Sequence, residues 1–253
     1  MNELKGKVAV VTGASTPRGI GYAIARRYAQ AGAEVLLVAE GTEQQLAAGV
    51  SECHSLPGAG RIESAQIDLA QNGEAERMIE QALKIFGRID VLVNNAAIRI
   101  SDDFGNYTRA QSDRGIAVNL AAPFFACQAV LSAMRKQGGG RIINITSQMG
   151  HVTFRQKSLY GLAKAALIHL TKSMAYELGR ENIIVNAISP GPIDTQHSVN
   201  RSPEVVRELL DKVPLGRFGL PEEIAELAFY LATSSPSFLQ GQDIVIDGGY
   251  IIH

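Results

Sequence analysis

The chain has 253 residues, 46% of them hydrophobic and 19% charged, with a formal net charge of -1. That is enough apolar material for one α/β domain or two small ones. The near-neutral balance leaves no electrostatic footprint for nucleic acid or an anionic membrane surface. Two cysteines, Cys53 and Cys127, make no disulfide framework and suit a reducing compartment. The five histidines show no metal-ligand spacing, so no metal is expected. The start, Met1 to Lys7, lacks the basic-then-apolar pattern of a signal peptide, and no apolar run is read as reaching membrane-span length. A cytoplasmic protein is the expectation.

Val8–Thr12 is a short continuous apolar run, the mark of a strand buried on both faces. A glycine-rich loop, 13–21, leads into a helix from Tyr22 to Ala31. Further strands are expected at Val35–Val38, Ile62–Ile67 and Ile89–Val93, with helices from Thr42 or Glu43 to Ser51 and from Gly73 to Phe86 between them. A long helix follows within Thr108–Gln137, and Pro123 requires a bend or break inside it. Arg141–Thr146 is a fifth strand. The next helix starts near Ser158 and runs to Leu178, with Leu167, Leu170, Met174 and Leu178 as its buried stripe and Gly179 as its stop. Ile183–Ile188 and Ile244–Ile246 are the last strands. Helices at Pro203–Lys212 and Pro221–Thr233 each begin beside a proline, a favoured first position.

Strands alternating with helices imply a parallel sheet covered on both faces, in a single doubly wound α/β (Rossmann) domain. Ligands of such folds sit at the carboxyl ends of the strands. The glycine-rich loop lets backbone approach a pyrophosphate, whose charge the helix N-terminus favours. Glu40, after the second strand, could accept from an adenosine ribose and repel a 2′-phosphate; an ordinary solvated carboxylate is the alternative. Asp68 and Leu69 could hold an adenine edge, and Asn94, Asn95, Ala96 and Ala97 suit close cofactor approach. Tyr160 and Lys164, at i and i+4, share a helix face, where a cation favours the phenolate. Alone, that pair reads as surface decoration.

Together these residues resemble the short-chain dehydrogenase/reductase family nearly end to end. Thr12, Gly13, Gly19 and Gly21 resemble its cofactor loop, and Asn94-Asn95-Ala96 its motif after the fourth strand. Asn119, Ser147, Tyr160 and Lys164 match its catalytic set, and Pro190, Gly191 and Thr195 its nicotinamide segment. The resemblance implies cofactor contacts from Gly13, Ser15, Arg18, Gly19, Ile20, Gly21, Glu40, Asp68, Leu69, Asn95, Ala96, Ala97, Tyr160, Lys164, Pro190, Gly191, Ile193 and Thr195. It also implies hydride transfer between a nicotinamide and a secondary alcohol or ketone. Tyr160 would exchange the proton, Ser147 would hold the substrate oxygen, and Lys164 would depress the Tyr160 pKa and bind the ribose. Asn119 would hold a water linking Lys164 to solvent.

Two departures stand out. The cofactor loop has two more residues between Gly13 and Gly19 than the family pattern, so Thr16-Pro17-Arg18 is expected to bulge; and Ala97 replaces a usual glycine. Glu40 points to NAD, whereas a basic residue such as Arg18 is common in NADP binders; NAD is favoured and NADP remains possible. The family's substrate-closing segment corresponds to residues 194–215, with Gln196, His197 and Arg201. Gln148, Met149, His151, Phe154, Arg155, Ile98 and Arg99 could line the pocket. Arg99 or Arg155 could meet an anionic substrate, although solvent exposure is the simpler reading for either. The family's habit implies a homodimer or homotetramer, with the C-terminal apolar residues available for contact. A non-catalytic dinucleotide sensor and a lyase or epimerase on the same fold are the competing readings. The first has no need of all four catalytic residues, and the second usually carries an enlarged C-terminal region.

Overall fold

A computed structural model describes residues 2–196 and 202–252. His197 and Arg201 lie outside the described residues. Seven parallel strands make one sheet: β1 (Val8–Thr12), β2 (Glu34–Ala39), β3 (Ile62–Gln66), β4 (Val91–Asn94), β5 (Gly140–Ile145), β6 (Ile183–Pro190) and β7 (Asp243–Ile246). Their order is β3-β2-β1-β4-β5-β6-β7. The order reverses between β1 and β4, which opens a crevice at their carboxyl ends.

The helices are α1 (Ile20–Gln30), α2 (Glu43–His54), α3 (Glu74–Phe86), α4 (Arg109–Ile116), α5 (Ala122–Lys136), α6 (Ser158–Leu178), α7 (Pro203–Leu210) and α8 (Pro221–Ala232). Alternate strand residues feed two cores, as the strand period of two demands. Ala9, Val11, Val35 and Leu37 pack with Ile24 and Tyr28 of α1 and Ile224 and Ala228 of α8. Val10, Leu36 and Leu92 pack with Met78 of α3, Val130 of α5 and Leu178 of α6. The fully buried Tyr28 hydroxyl donates to the Ala228 carbonyl at 2.9 Å, so this large ring brings no unsatisfied polar atom into its core.

The long helix breaks differently from expectation. Between α4 and α5 the chain makes a π-turn at Ala117–Ala121, and Pro123 sits in the first turn of α5, where its missing N–H costs little. Pro123 also lacks the N–H that would close on the Asn119 carbonyl four residues earlier. The span Arg109–Lys136 has 28 residues and an 18-residue window of mean hydropathy 1.7, so by length and composition it could cross a membrane. This corrects the sequence reading that no run reaches that length. Ala126, Cys127, Val130 and Met134 turn its apolar side into the core.

In α6 the buried positions are Leu167, Ile168, Thr171, Ala175 and Leu178, with Tyr160, Ala163 and Lys164 before them; Leu170 and Met174 are only half-buried. The helix is flanked by both β6 and the π-turn, so its buried face is wider than one stripe. Gly179 is not its left-handed stop. The chain continues as a 3-10 turn through Glu181, and Asn182 at φ 56° takes the left-handed position.

Candidate active site

A cleft of about 430 Å³ runs along the carboxyl ends of the strands. One end is built by the loop after β1. Gly13, Ser15, Thr16, Gly19 and Ile20 line it, and α1 starts there with no side-chain cap and no acidic residue in its first turn. Those free N–H groups and the helix dipole make an anion cradle. The extra loop residues close as a turn, with Gly19 N donating to the Thr16 carbonyl at 2.7 Å. Gly21 is held by packing: a Cβ there would stand 2.6 Å from the Gly13 carbonyl.

The loop after β4 is pinned to β1. Thr12 Oγ1 accepts from both Asn95 N and Ala96 N at 2.9 Å, and Asn95 Nδ2 donates to the Thr12 carbonyl at 2.7 Å. Deeper in, Asn94 Nδ2 donates to Asn144 Oδ1 at 2.9 Å, and Asn144 Nδ2 donates to Thr171 Oγ1 at 2.9 Å. This buried amide chain ties β4 and β5 to α6 and so sets the height of Ser147 against Tyr160.

At the other end of the cleft stand Ser147, Tyr160 and Lys164, all buried. The Lys164 ammonium lies 5.7 Å from the Tyr160 ring centre and donates to the Ile145 carbonyl at 2.8 Å. Burial pushes the Tyr160 phenol up, but the charges of Lys164 and Arg99 and hydrogen bonds from Arg99 and Ser147 outweigh it, and the phenol falls below its ordinary value of 10.0. Burial likewise lowers the Lys164 pKa, against the pull of Tyr160. Asn119 sits on the π-turn. Its side-chain oxygen accepts from Ile98 N at 3.1 Å and its amide donates to the Ile98 carbonyl at 2.9 Å, so the side chain holds the loop after β4.

Most of the expected residues do line this cleft, namely Gly13, Ser15, Gly19, Ile20, Glu40, Leu69, Asn95, Ala96, Ala97, Ser147, Tyr160, Lys164, Pro190, Gly191 and Thr195. Arg18, Gly21, Asp68, Asn119 and Ile193 are not among its lining residues. Arg18 instead pairs with Asp194 at 2.8 Å, tying the cofactor loop to the segment after β6. Asp68 accepts from Ala70 N at 2.9 Å and pairs with Arg114 at 3.4 Å. Arg114 was not visible as a site residue in the sequence. It reaches from α4 to grip both Glu40 oxygens at 3.0 Å, so the carboxylate read as a lone ribose acceptor is ion-paired. Helix-to-strand proximity of this kind has no local sequence signal.

Of the possible pocket residues, Ile98, Arg99 and Gln196 line the cleft. Gln148, Met149, His151, Phe154 and Arg155 do not. His151 pairs with Asp243 at 2.6 Å, and the Lys212 ammonium sits 4.8 Å over the Phe154 ring. Gln148 is buried behind Gly191, where a Cβ would stand 2.8 Å from its side-chain oxygen.

A cleft with an anion cradle at one end and a polarised phenol at the other defines a dinucleotide-dependent oxidoreductase. A family model described as enoyl-(acyl carrier protein) reductase matches residues 13–251. The chain is 38% identical over 250 residues to a 3-oxoacyl-[acyl-carrier-protein] reductase, FabG, of Thermotoga maritima, covering 98% of this chain and 99% of that protein. It is 36% identical over 256 residues to a D-threitol dehydrogenase of Mycolicibacterium smegmatis, covering 98% and 94%. The crystal structure of a short-chain type dehydrogenase/reductase from Mycobacterium marinum superposes with a TM-score of 0.90 at 38% identity, over 99% of this chain and 97% of that one. The chain belongs to the short-chain dehydrogenase/reductase family. It is an NAD(P)-dependent oxidoreductase that transfers a hydride between nicotinamide and an alcohol or ketone carbon.

Proposed function

We propose that Tyr160 is the general acid and base of this reaction and that NAD is the favoured cofactor. The observation that carries the reading is the burial of Tyr160 and Lys164 beside Ser147 in the cleft that begins at the uncapped start of α1. The residues fit a dinucleotide, with backbone N–H groups at the cradle for the pyrophosphate and small Ala96, Ala97 and Gly191 where a flat ring must approach closely. When bound, the nicotinamide supplies or accepts the hydride.

Ser147 holds the substrate oxygen by a hydrogen bond. Tyr160 gives that oxygen a proton in reduction and takes one in oxidation. Lys164 stabilises the phenolate and reaches the ribose. The Asn119 side chain is engaged with Ile98, so the water of the proton relay is assigned to its main-chain carbonyl, which Pro123 leaves without an α-helical donor. Glu40 supports NAD, since a carboxylate beside the ribose disfavours a 2′-phosphate even with Arg114 attached. Arg18 is engaged with Asp194, which weakens the case for NADP.

The working form is read as a homodimer or homotetramer. Exposed Phe124, Phe125, Tyr176 and Phe238 supply apolar surface for subunit contact. Free, buried Cys53 and Cys127 support a reducing, cytoplasmic setting. A panel of ketones and secondary alcohols, run with both cofactors and followed by nicotinamide absorbance, tests the reading. Tyr160→Phe is expected to lose activity by about 100-fold or more while retaining cofactor affinity. Full activity in that variant would remove Tyr160 from the chemistry.

A further inference from the structure

The reacting end of the cleft carries a second cation besides Lys164. Arg99 lies in the loop after β4, two residues beyond Ala97. Its guanidinium carbon stands 5.7 Å from the Tyr160 ring centre, and both residues line the cleft with Ser147. Among the described residues it has no carboxylate partner, although Arg18 and Arg114 at the same cleft are both ion-paired. The neighbouring lining residues, Ile98, Ser147, Thr195 and Gln196, carry no negative charge, and the one carboxylate lining the cleft, Glu40, is already held by Arg114. Lys164 is buried with its ammonium on the Ile145 carbonyl. Among the described residues, the exposed Arg99 is therefore the cation placed to meet whatever lies beside the substrate oxygen.

We propose that Arg99 determines substrate class by receiving a carboxylate one or two carbons from the reacting carbon, so that the enzyme acts on small oxo acids and hydroxy acids. The planar guanidinium matches a carboxylate with two parallel hydrogen bonds, which fixes orientation as well as adding affinity. Arg99 lines the cleft beside Tyr160, so a carboxylate close along the chain from a carbonyl oxygen held by Ser147 and Tyr160 falls within its reach. In reduction the hydride goes to the carbonyl carbon, the carbonyl π pair becomes an O–H bond with the Tyr160 proton, and the carboxylate is unchanged. The inference rests on Ser147 and Tyr160 marking the reacting end.

Two measurements test it. First, 2-oxo and 3-oxo acids are compared with their methyl esters for kcat/KM in the wild type, Arg99→Gln and Arg99→Lys. The wild type is expected to prefer an acid over its ester by about tenfold to hundredfold, the range for hydrogen bonds to a charged group. Arg99→Gln collapses the ratio, chiefly through KM for the acid, and Arg99→Lys restores part of it. Second, calorimetry with NADH present measures malonate, a carboxylate that cannot be reduced. Its affinity is expected to fall at least about tenfold in Arg99→Gln, with thermal unfolding showing that the variant is folded. An unchanged acid-to-ester ratio, or equal malonate affinity in wild type and Arg99→Gln, overturns the proposal. Arg99-dependent malonate binding without turnover of any acid or ester would instead uphold the anion site and overturn the reading of the reacting end.

Discussion

At Tyr160 the decisive contest is between burial, which disfavours the phenolate, and two cations with a serine hydroxyl, which favour it. The cations prevail, so the phenol titrates below its ordinary value of 10.0. With Tyr160 as the proposed base, alcohol oxidation needs the phenolate, so its rate should rise with pH through that lowered pKa and then level. Removing the ammonium in Lys164→Met leaves more of the burial effect uncompensated. The acidic limb of the kcat/KM profile should then move to higher pH by about one unit or more; an unmoved limb would mean that Lys164 does not set the phenol's charge. At the proposed ribose end, Glu40 and Arg114 work against each other. Glu40→Gln removes the carboxylate that repels a 2′-phosphate and leaves Arg114 paired with Asp68 alone. The NAD-to-NADP preference should fall about tenfold, the size of one charge-assisted bond, as read from kcat/KM with each cofactor.

Among elements, α6 shows how packing decides what a pattern leaves open. Its apolar periodicity identifies a helix, but the inward residues follow from the elements packed against it, β6 and the π-turn among them. Its middle is held to the sheet through Asn144 and Thr171. Asn144→Ala would leave the Asn94 amide and the Thr171 hydroxyl with fewer partners in a buried setting. The cost expected from urea unfolding is about 1–3 kcal/mol, with kcat lowered as well because Ser147 and Tyr160 lose their common brace. A loss of stability with unchanged kcat would separate the brace from the site. The π-turn makes a similar point. Pro123 announces a break in the sequence, but only the three-dimensional fold places Asn119 on it, beside Ile98.

Across the whole molecule, the amino edge of the sheet has its own electrostatic anchor. Asp90 is buried, which works against its charge. It also accepts from Arg88 at 2.6 and 2.8 Å, from Val8 N at 3.0 Å and from Lys7 at 3.0 Å. The net effect holds its carboxyl below the ordinary aspartate value of 3.8. A depressed folded-state pKa stabilises the protein above the unfolded value and is lost as pH falls through the folded one. Unfolding midpoints measured from pH 6 down to pH 2 should therefore drop across the acid range, about the window of an unperturbed aspartate and below. Asp90→Asn should flatten that slope while lowering stability at neutral pH.

The sequence alone determined the alternation of strands and helices, the glycine-rich loop before α1, and the spacing of Asn119, Ser147, Tyr160 and Lys164, because buried parallel strands and helix faces write themselves into local patterns. It also placed carboxylates and cations near the ends of strands. Which of them face one another was decided only by the tertiary structure. Arg114 reaches Glu40 across 74 positions and Arg18 reaches Asp194 across 176. Arg99, for which solvent exposure was the simpler reading, stands beside Tyr160. Such pairings depend on the order of strands in the sheet and the reach of long side chains, neither of which leaves a periodic trace in the chain.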